Sequence, residues 1–373
     1  MNTSAKPPRQ PGIDLLRGLT VAVMILVNQW AGVAGLPPWM KHMPAEADAM
    51  SFVDMVFPAF LFIVGMSLPL ALQARLEQAG RAGALRHVAE RCAALLVLGL
   101  FMVNAEMAPA GFAASAWLLA AFAGVFLVWG SVAGGPPLAR PWRAAGAALL
   151  AGLALAYPGG LGLHWWGILG LIGWAYGLAA LLFIAAPPRA RLTLALAGLP
   201  ACVAWFALAA PALGGGAHAT HTLLVLAGMA SALLLHGPRP PAKAATWALL
   251  LAFLLLAAGL ALRPLWPLSK IHATPSWGMA CAGASLLLYL LLRLGAGAAP
   301  GRALMAALGD AARHPLLAYL IPFVLDALTA LAAWHWPAAL GSGWAGLARG
   351  LVYLAWVLVL LRLALRTGLR LRL

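Results

Sequence analysis

Residues 36–67, LPPWMKHMPAEADAMSFVDMVFPAFLFIVGMS, begin as a proline-broken polar loop and end as an apolar run with no charge in it. The run after Asp54 continues to about residue 73, long enough to cross a ~30 Å hydrocarbon core as a helix. The whole chain repeats that grammar. Hydrophobic residues make up 64% of its 373 residues and charged ones 9%, where a soluble domain carries about 25% charged. Backbone buried in lipid must satisfy its own hydrogen bonds, and no short polar/apolar alternation of a membrane barrel is visible, so the segments read as helices. The expectation is an all-α, polytopic helical bundle of about twelve spans: 13–36, 51–73, 89–108, 112–131, 143–160, 167–186, 192–211, 220–236, 244–262, 277–295, 314–334 and 343–367.

Net charge is +15, and its distribution argues against nucleic acid and for topology. With the N-terminus inside, all of the 24 Lys and Arg except Lys41, Arg263, Lys270 and Arg349 fall on inner segments, as the positive-inside rule requires. Both termini are therefore expected in the cytoplasm, with residues 1–11 a disordered tail and 12–373 a single transmembrane domain. The two longer connections, 37–50 and 263–276, face outward. No cleavable signal peptide is evident, since the first apolar run is long and carries charges. Cys92, Cys202 and Cys281 stand alone in apolar runs and read as small core residues.

Ionisable residues inside spans are costly and mark candidate sites. Asp14, Arg17 and Asn28 share one face of the first helix, with Asn28 about 16 Å beyond Arg17 at about 1.5 Å per residue. They read either as an interfacial ion pair plus a packing amide, or as a polar track through the membrane. Asp54 enters the second span with no local partner, and His42 is the candidate to supply one. A carboxylate on one imidazole nitrogen fixes the tautomer and frees the other nitrogen as a base. Glu46 and Asp48 lie between them. Lys270, His272 and Ser276, with Trp277 following, form a second outward polar segment. The remaining histidines show no third ligand, so no metal is expected. Asp326 and Glu106 stay unassigned. Residue spacing alone leaves an enzyme, an amino-sugar permease and a partner-binding membrane protein all open.

Certain blocks resemble a known family. GIDLLRGLTVAVMILVNQWAG (12–32), KH (41–42) and FVDMVFPAFLFIVGMSLPLAL (52–72) are similar to the signature of transmembrane acetyltransferases related to heparan-α-glucosaminide N-acetyltransferase. Weaker agreement follows in HWWGILGLIGWAYGLAALL (164–182), PLSKIHATPSWGMACAGASLLLY (267–289) and LGDAARHPLLAYLIP (308–322). The resemblance implies a bacterial inner-membrane enzyme that moves acetyl from cytoplasmic acetyl-CoA to an amino sugar of the glucosamine type on the external side. It implies catalytic roles for His42, Asp54 and Asn28, and donor binding by Asp14, Arg17 and Asn28. Acceptor binding would fall to Glu46, Asp48, Lys270, His272, Ser276 and Trp277. Acetyl-CoA is the donor substrate, no metal is called for, and the partners are the acceptor and the bilayer. A homodimer, and an acetyl-histidine intermediate against direct transfer, stay open. Here MPAEADAM replaces the family's Trp-Asn-Gly segment after the histidine, and spans 112–131 and 143–160 look like an inserted hairpin.

Overall fold

The computed structural model describes residues 10–132, 138–209, 216–238 and 240–371. The tail expected over 1–11 lies outside them up to residue 9, and Pro11 already opens a helix. Among the described residues the helices are α1 (Pro11–Trp30), α2 (Phe52–Glu106), α3 (Ala114–Trp129), α4 (Arg140–Leu155), α5 (Gly167–Ala185) and α6 (Arg191–Ala209). They continue as α7 (Gly216–His236), α8 (Ala244–Leu262), α9 (Pro275–Gly295), α10 (Ala299–Arg313), α11 (Pro315–Leu331) and α12 (Gly343–Arg366). The one ladder pairs β1 (Gly130–Ser131) antiparallel with β2 (Arg370–Leu371). The class is all-α, as expected.

Among the described residues eight helices, with α2 counted once, are long and apolar enough to cross a membrane, or nine if α10 and α11, bent by 79°, count as one span. Three places bear on the expected twelve. The expected spans 51–73 and 89–108 both lie in α2, one on each side of a non-helical break at Gly80, with φ 66° and ψ −173°. Only glycine enters that region without strain. α3 and α4 have 16 residues each, about 24 Å long, and are too short for the length test. α10 was not expected at all. Its buried positions, Gly301, Leu308, Gly309, Ala311 and Ala312, follow the helical spacing of an amphipathic segment.

The chain divides into two compact units. The first comprises Met1–Val27, Pro37–Ala89 and Trp174–Gly309; the second comprises Asn28–Leu36, Glu90–Gly173 and Asp310–Leu373. In the first unit α7 is the central element, with 89% of its apolar window buried. α6 and α9 pack on it, and α8 packs on α9. α2 crosses α7 backbone to backbone: a Cβ at Gly65 would run into the Val225 carbonyl, and one at Gly228 into the Phe62 carbonyl. In lipid there is no hydrophobic drive to join helices, so small residues that permit this approach supply the packing energy.

In the second unit α3 and α4 form the hairpin that the sequence suggested as an insertion. Gly124 admits Leu150, and the Trp117 indole donates to the Leu153 carbonyl at 3.0 Å. Asn104, fully buried, donates to the Leu100 and Gly162 carbonyls at 2.8 Å and accepts from the Gly162 N–H at 2.9 Å. One N–H returns to its own helix, and the other N–H and the amide oxygen join α2 to Gly162 of the 156–166 loop, so it is a structural amide. α11 packs on α3 and on α12.

Candidate active site

The start of α2 is built by four residues. Ser51 precedes the helix, and its hydroxyl accepts the Val53 N–H at 3.1 Å. Asp54, three residues on, reaches back to the Ser51 N–H at 3.0 Å and its hydroxyl at 3.2 Å. This is a capping box with aspartate in the usual glutamate position, and the helix dipole favours a negative charge there. One carboxylate oxygen, Oδ2, is taken up by the cap and by the Met43 N–H at 3.2 Å. The other, Oδ1, lies 2.7 Å from His42 Nδ1. Asp54 is 1% exposed, while the His42 side chain is 41% exposed.

That asymmetry sets the imidazole. A carboxylate surrounded by donors is an acceptor only, so Nδ1 carries the hydrogen and donates it to Asp54. In the neutral imidazole Nε2 then keeps its lone pair. Lys270 Nζ stands 3.1 Å from Nε2 and 3.2 Å from Nδ1, and Nε2 is the atom able to accept from it. Burial pulls the Lys270 ammonium below the usual lysine range, an effect that nearby Asp54 opposes. The arrangement is an imidazole paired with a buried carboxylate, with an ammonium about equally near both ring nitrogens.

The loop carrying Lys270 is fixed to the loop carrying His42. Asp48 accepts the Leu268 N–H at 2.8 Å and Arg263 Nε at 2.7 Å, and Arg263 Nη2 also donates to the Asp48 carbonyl at 3.1 Å. The Leu268 N–H first, then the Arg263 guanidinium, hold the Asp48 carboxyl below the usual aspartate range. Ser269 donates to the Ala45 carbonyl at 3.3 Å. Beneath, Thr274 donates to the Pro267 carbonyl at 2.8 Å and Ser276 to the Trp266 carbonyl at 2.5 Å.

These contacts redistribute the residues expected at the acceptor. Asp48 is matched by Arg263 and ties two loops, so it does not offer a free charge. Ser276 and Trp277 are fully buried; the serine hydroxyl serves the backbone, and the Trp277 indole donates to the Asp54 carbonyl at 3.2 Å. Glu46 is exposed and has no ion pair among the described residues, and His272 is exposed on the same loop as Lys270. Ser51 was missed, although the Ser-x-x-Asp spacing of a capping box stands in the sequence.

On the donor side expected from the sequence, α1 is unbroken. Arg17 pairs with Asp14 at 2.9 Å, and its Nη2 donates to the Ser67 hydroxyl of α2 at 2.6 Å. At the same end of this unit Gly12 lets α1 approach Tyr289 of α9, whose hydroxyl is 2.6 Å from His236 Nε2. Asn28 falls in the second unit, exposed, with no hydrogen bond to its amide among the described residues. Asp326 meets the Tyr353 hydroxyl at 3.2 Å. No group of three or more His, Cys, Asp or Glu able to hold a metal occurs among the described residues.

Comparison with known proteins places this site in context. Residues 9–134, which include both His42 and Asp54, match a family model described as a domain of unknown function (DUF5009). Over 102 residues the chain is 32% identical to heparan-alpha-glucosaminide N-acetyltransferase of Homo sapiens, covering 27% of this chain and 15% of that protein's length. The two matches support a relation between this chain and the family of that enzyme.

Proposed function

From that relation we propose that the chain is a membrane-embedded acetyltransferase that moves acetyl from cytoplasmic acetyl-CoA to the amino group of a glucosamine-type sugar on the external side. The observation that carries the reading is the oriented base: buried Asp54 on His42 Nδ1, with the Lys270 ammonium at Nε2. An amino sugar is largely ammonium at neutral pH and cannot attack until it loses a proton. In the proposed reaction Nε2 takes that proton as general base, a contribution of about 10²–10⁴-fold. The freed amine attacks the thioester carbonyl, forming the C–N bond and an oxyanion. Lys270, displaced from Nε2 by the acceptor, is the nearest cation to meet that oxyanion. Collapse breaks the C–S bond, the imidazolium returns its proton to the departing thiolate, and Nε2 then takes the second proton that the acylated nitrogen sheds and passes it to water.

The other roles follow from placement and charge. Glu46, uncompensated on the acceptor loop, is proposed to attract the cationic sugar. Arg17, held by Asp14 and Ser67, is proposed to contact a CoA phosphate. The distribution of basic residues supports cytoplasmic termini and an outward-facing His42 loop, in a bacterial inner membrane.

The test uses purified chain in vesicles, with labelled acetyl-CoA on one face and glucosamine on the other. N-acetylglucosamine should form only with acetyl-CoA present, and His42→Ala should abolish it while leaving acetyl-CoA binding intact. Glucosamine uptake independent of acetyl-CoA would instead make the chain a permease. Label retained on His42 would replace direct transfer by an acetyl-histidine route.

A further inference from the structure

The first two turns of α7 hold a cluster that the acetyl-transfer chemistry does not use. His218 Nδ1, Thr220 Oγ1, His221 Nδ1 and Thr222 Oγ1 are buried and have no hydrogen-bond partner among the described residues. The residues themselves are enclosed: Thr220 is 1% exposed, His221 4% and Thr222 5%. Buried polar atoms are almost always bonded. A hydroxyl in a helix has a simple escape, back-bonding to the carbonyl one turn earlier. Ser231 of the same helix takes it, donating to the Ala227 carbonyl at 2.8 Å. Thr220 and Thr222 do not.

Their position is specific. The His221 ring meets Phe57 edge-on at 5.2 Å and Trp277 at 6.4 Å. Phe57 lies one turn past Asp54 on α2, and Trp277 donates to the Asp54 carbonyl. His221 thus lies directly behind the His42–Asp54 pair, with His218 and Thr222 within about 100° of it around the helix. Further along, the Gly65–Gly228 crossing closes α2 onto α7. Thr220 packs on Gly278 of α9, and His218 lies against Trp174 at 6.2 Å. Among the described residues, His218 is the titratable group acting on His221; no carboxylate or ammonium joins them. Phe and Val would fill the same volumes with no polar atom to satisfy, so packing alone gives no reason for these residue types.

We propose that His218, His221 and Thr222 seat a neutral, hydrogen-bonding segment of a substrate behind the His42–Asp54 pair. Two sources present that chemistry: the hydroxyls of the sugar, or the amides of the pantetheine arm of CoA. The identity of the ligand rests on the acetyl-transfer reading; the existence of the seat does not.

The test reads binding and folding together, on the full chain in detergent. N-acetylglucosamine and coenzyme A are titrated separately against wild type, His221→Phe and Thr222→Val, following thermal unfolding. Without either probe the variants should melt at or above the wild-type temperature, because unpaired polar atoms have been removed. The wild type should gain several degrees from at least one probe, and the variants should need at least tenfold more of it. Loss of the sugar shift assigns the hydroxyls, loss of the coenzyme shift the amides. Thr222→Ser, which keeps the hydroxyl, should restore the shift, and Thr222→Val alone carries the comparison if His221→Phe does not fold. The proposal is overturned if the variants bind both probes as wild type does, if neither probe stabilises wild type, or if Thr222→Val melts lower. Binding without acetyl transfer would sink the transfer reading and leave the seat; transfer with variants that bind normally would do the reverse.

Discussion

Replacing Asp54 by asparagine should separate what the carboxylate does for the fold from what it does for the imidazole. Oδ2 receives three donors, Met43 N–H, Ser51 N–H and the Ser51 hydroxyl, while Oδ1 receives His42. An asparagine would turn its carbonyl oxygen toward the three donors and its amide toward His42. The cap then survives with weaker bonds, losing about 1.5–3 kcal/mol for the charge-assisted contact. Asp54→Ala leaves all three donors unpaired in a buried position, about 3–9 kcal/mol at ~1–3 each. That is comparable with a whole folding free energy of about 5–15 kcal/mol, so the alanine variant should not accumulate. The asparagine amide, however, can only donate to Nδ1. The hydrogen must move to Nε2, which loses its lone pair and turns an N–H toward the Lys270 ammonium. A wrong tautomer in an analogous triad costs about 10⁴ in rate, or about 5.4 kcal/mol at ~1.36 per decade. Transfer of labelled acetyl to glucosamine, alongside unfolding temperature, measures both. Asparagine activity within tenfold of wild type would refute the tautomer argument, and equal destabilisation by asparagine and alanine would refute the capping argument.

Lys270→Met should lower kcat by about 10²–10³ if its ammonium meets the oxyanion, with little change in melting; unchanged kcat in single-turnover assays would remove that role. Because burial lowers the Lys270 pKa, activity should decline on the alkaline side below the ordinary lysine value of about 10.4, and Lys270→Arg, charged throughout, should move that limb upward. Asp48 is depressed in the folded chain, so the loop tie is fully present above its unfolded pKa of about 3.9 and fades only as pH falls through the lower folded value. Proteolysis of the 37–50 loop should therefore be flat from about pH 5 to 8 and rise below about 4, whereas Asp48→Asn should raise cleavage across the range; a wild-type rise already at pH 6 would contradict this. Gly228→Leu should prevent folding by forcing α7 off the Phe62 carbonyl, while Gly80→Ala should cost only about 1–3 kcal/mol of backbone strain; comparable yields of folded Gly228→Leu would rule out the close crossing.

Composition and pattern determined the class of this protein, because a chain with 64% hydrophobic and 9% charged residues can satisfy its backbone in lipid only as helices or a closed barrel, and long unbroken apolar runs without alternation select helices. The local order of Ser51 and Asp54 determined the cap, and the scarcity of partners near Asp54 singled out His42, twelve residues away. Such relations are legible because they span a few turns or one loop. The span count was less so: hydropathy cannot tell a short hairpin such as α3–α4 from two full crossings, nor place the break at Gly80 that separates the two halves of α2. Tertiary structure alone decided that Lys270, 228 positions along the chain, stands on His42, and that Asp48 is matched by Arg263 across 215 positions. It also decided that glycines 65 and 228 mark one crossing, with the unpaired His221 of α7 against Phe57 and Trp277 beside Asp54. A side chain's charge and hydrogen-bonding capacity are local properties. The partner that answers them depends on which helices pack together, and that follows from the shape of every face at once.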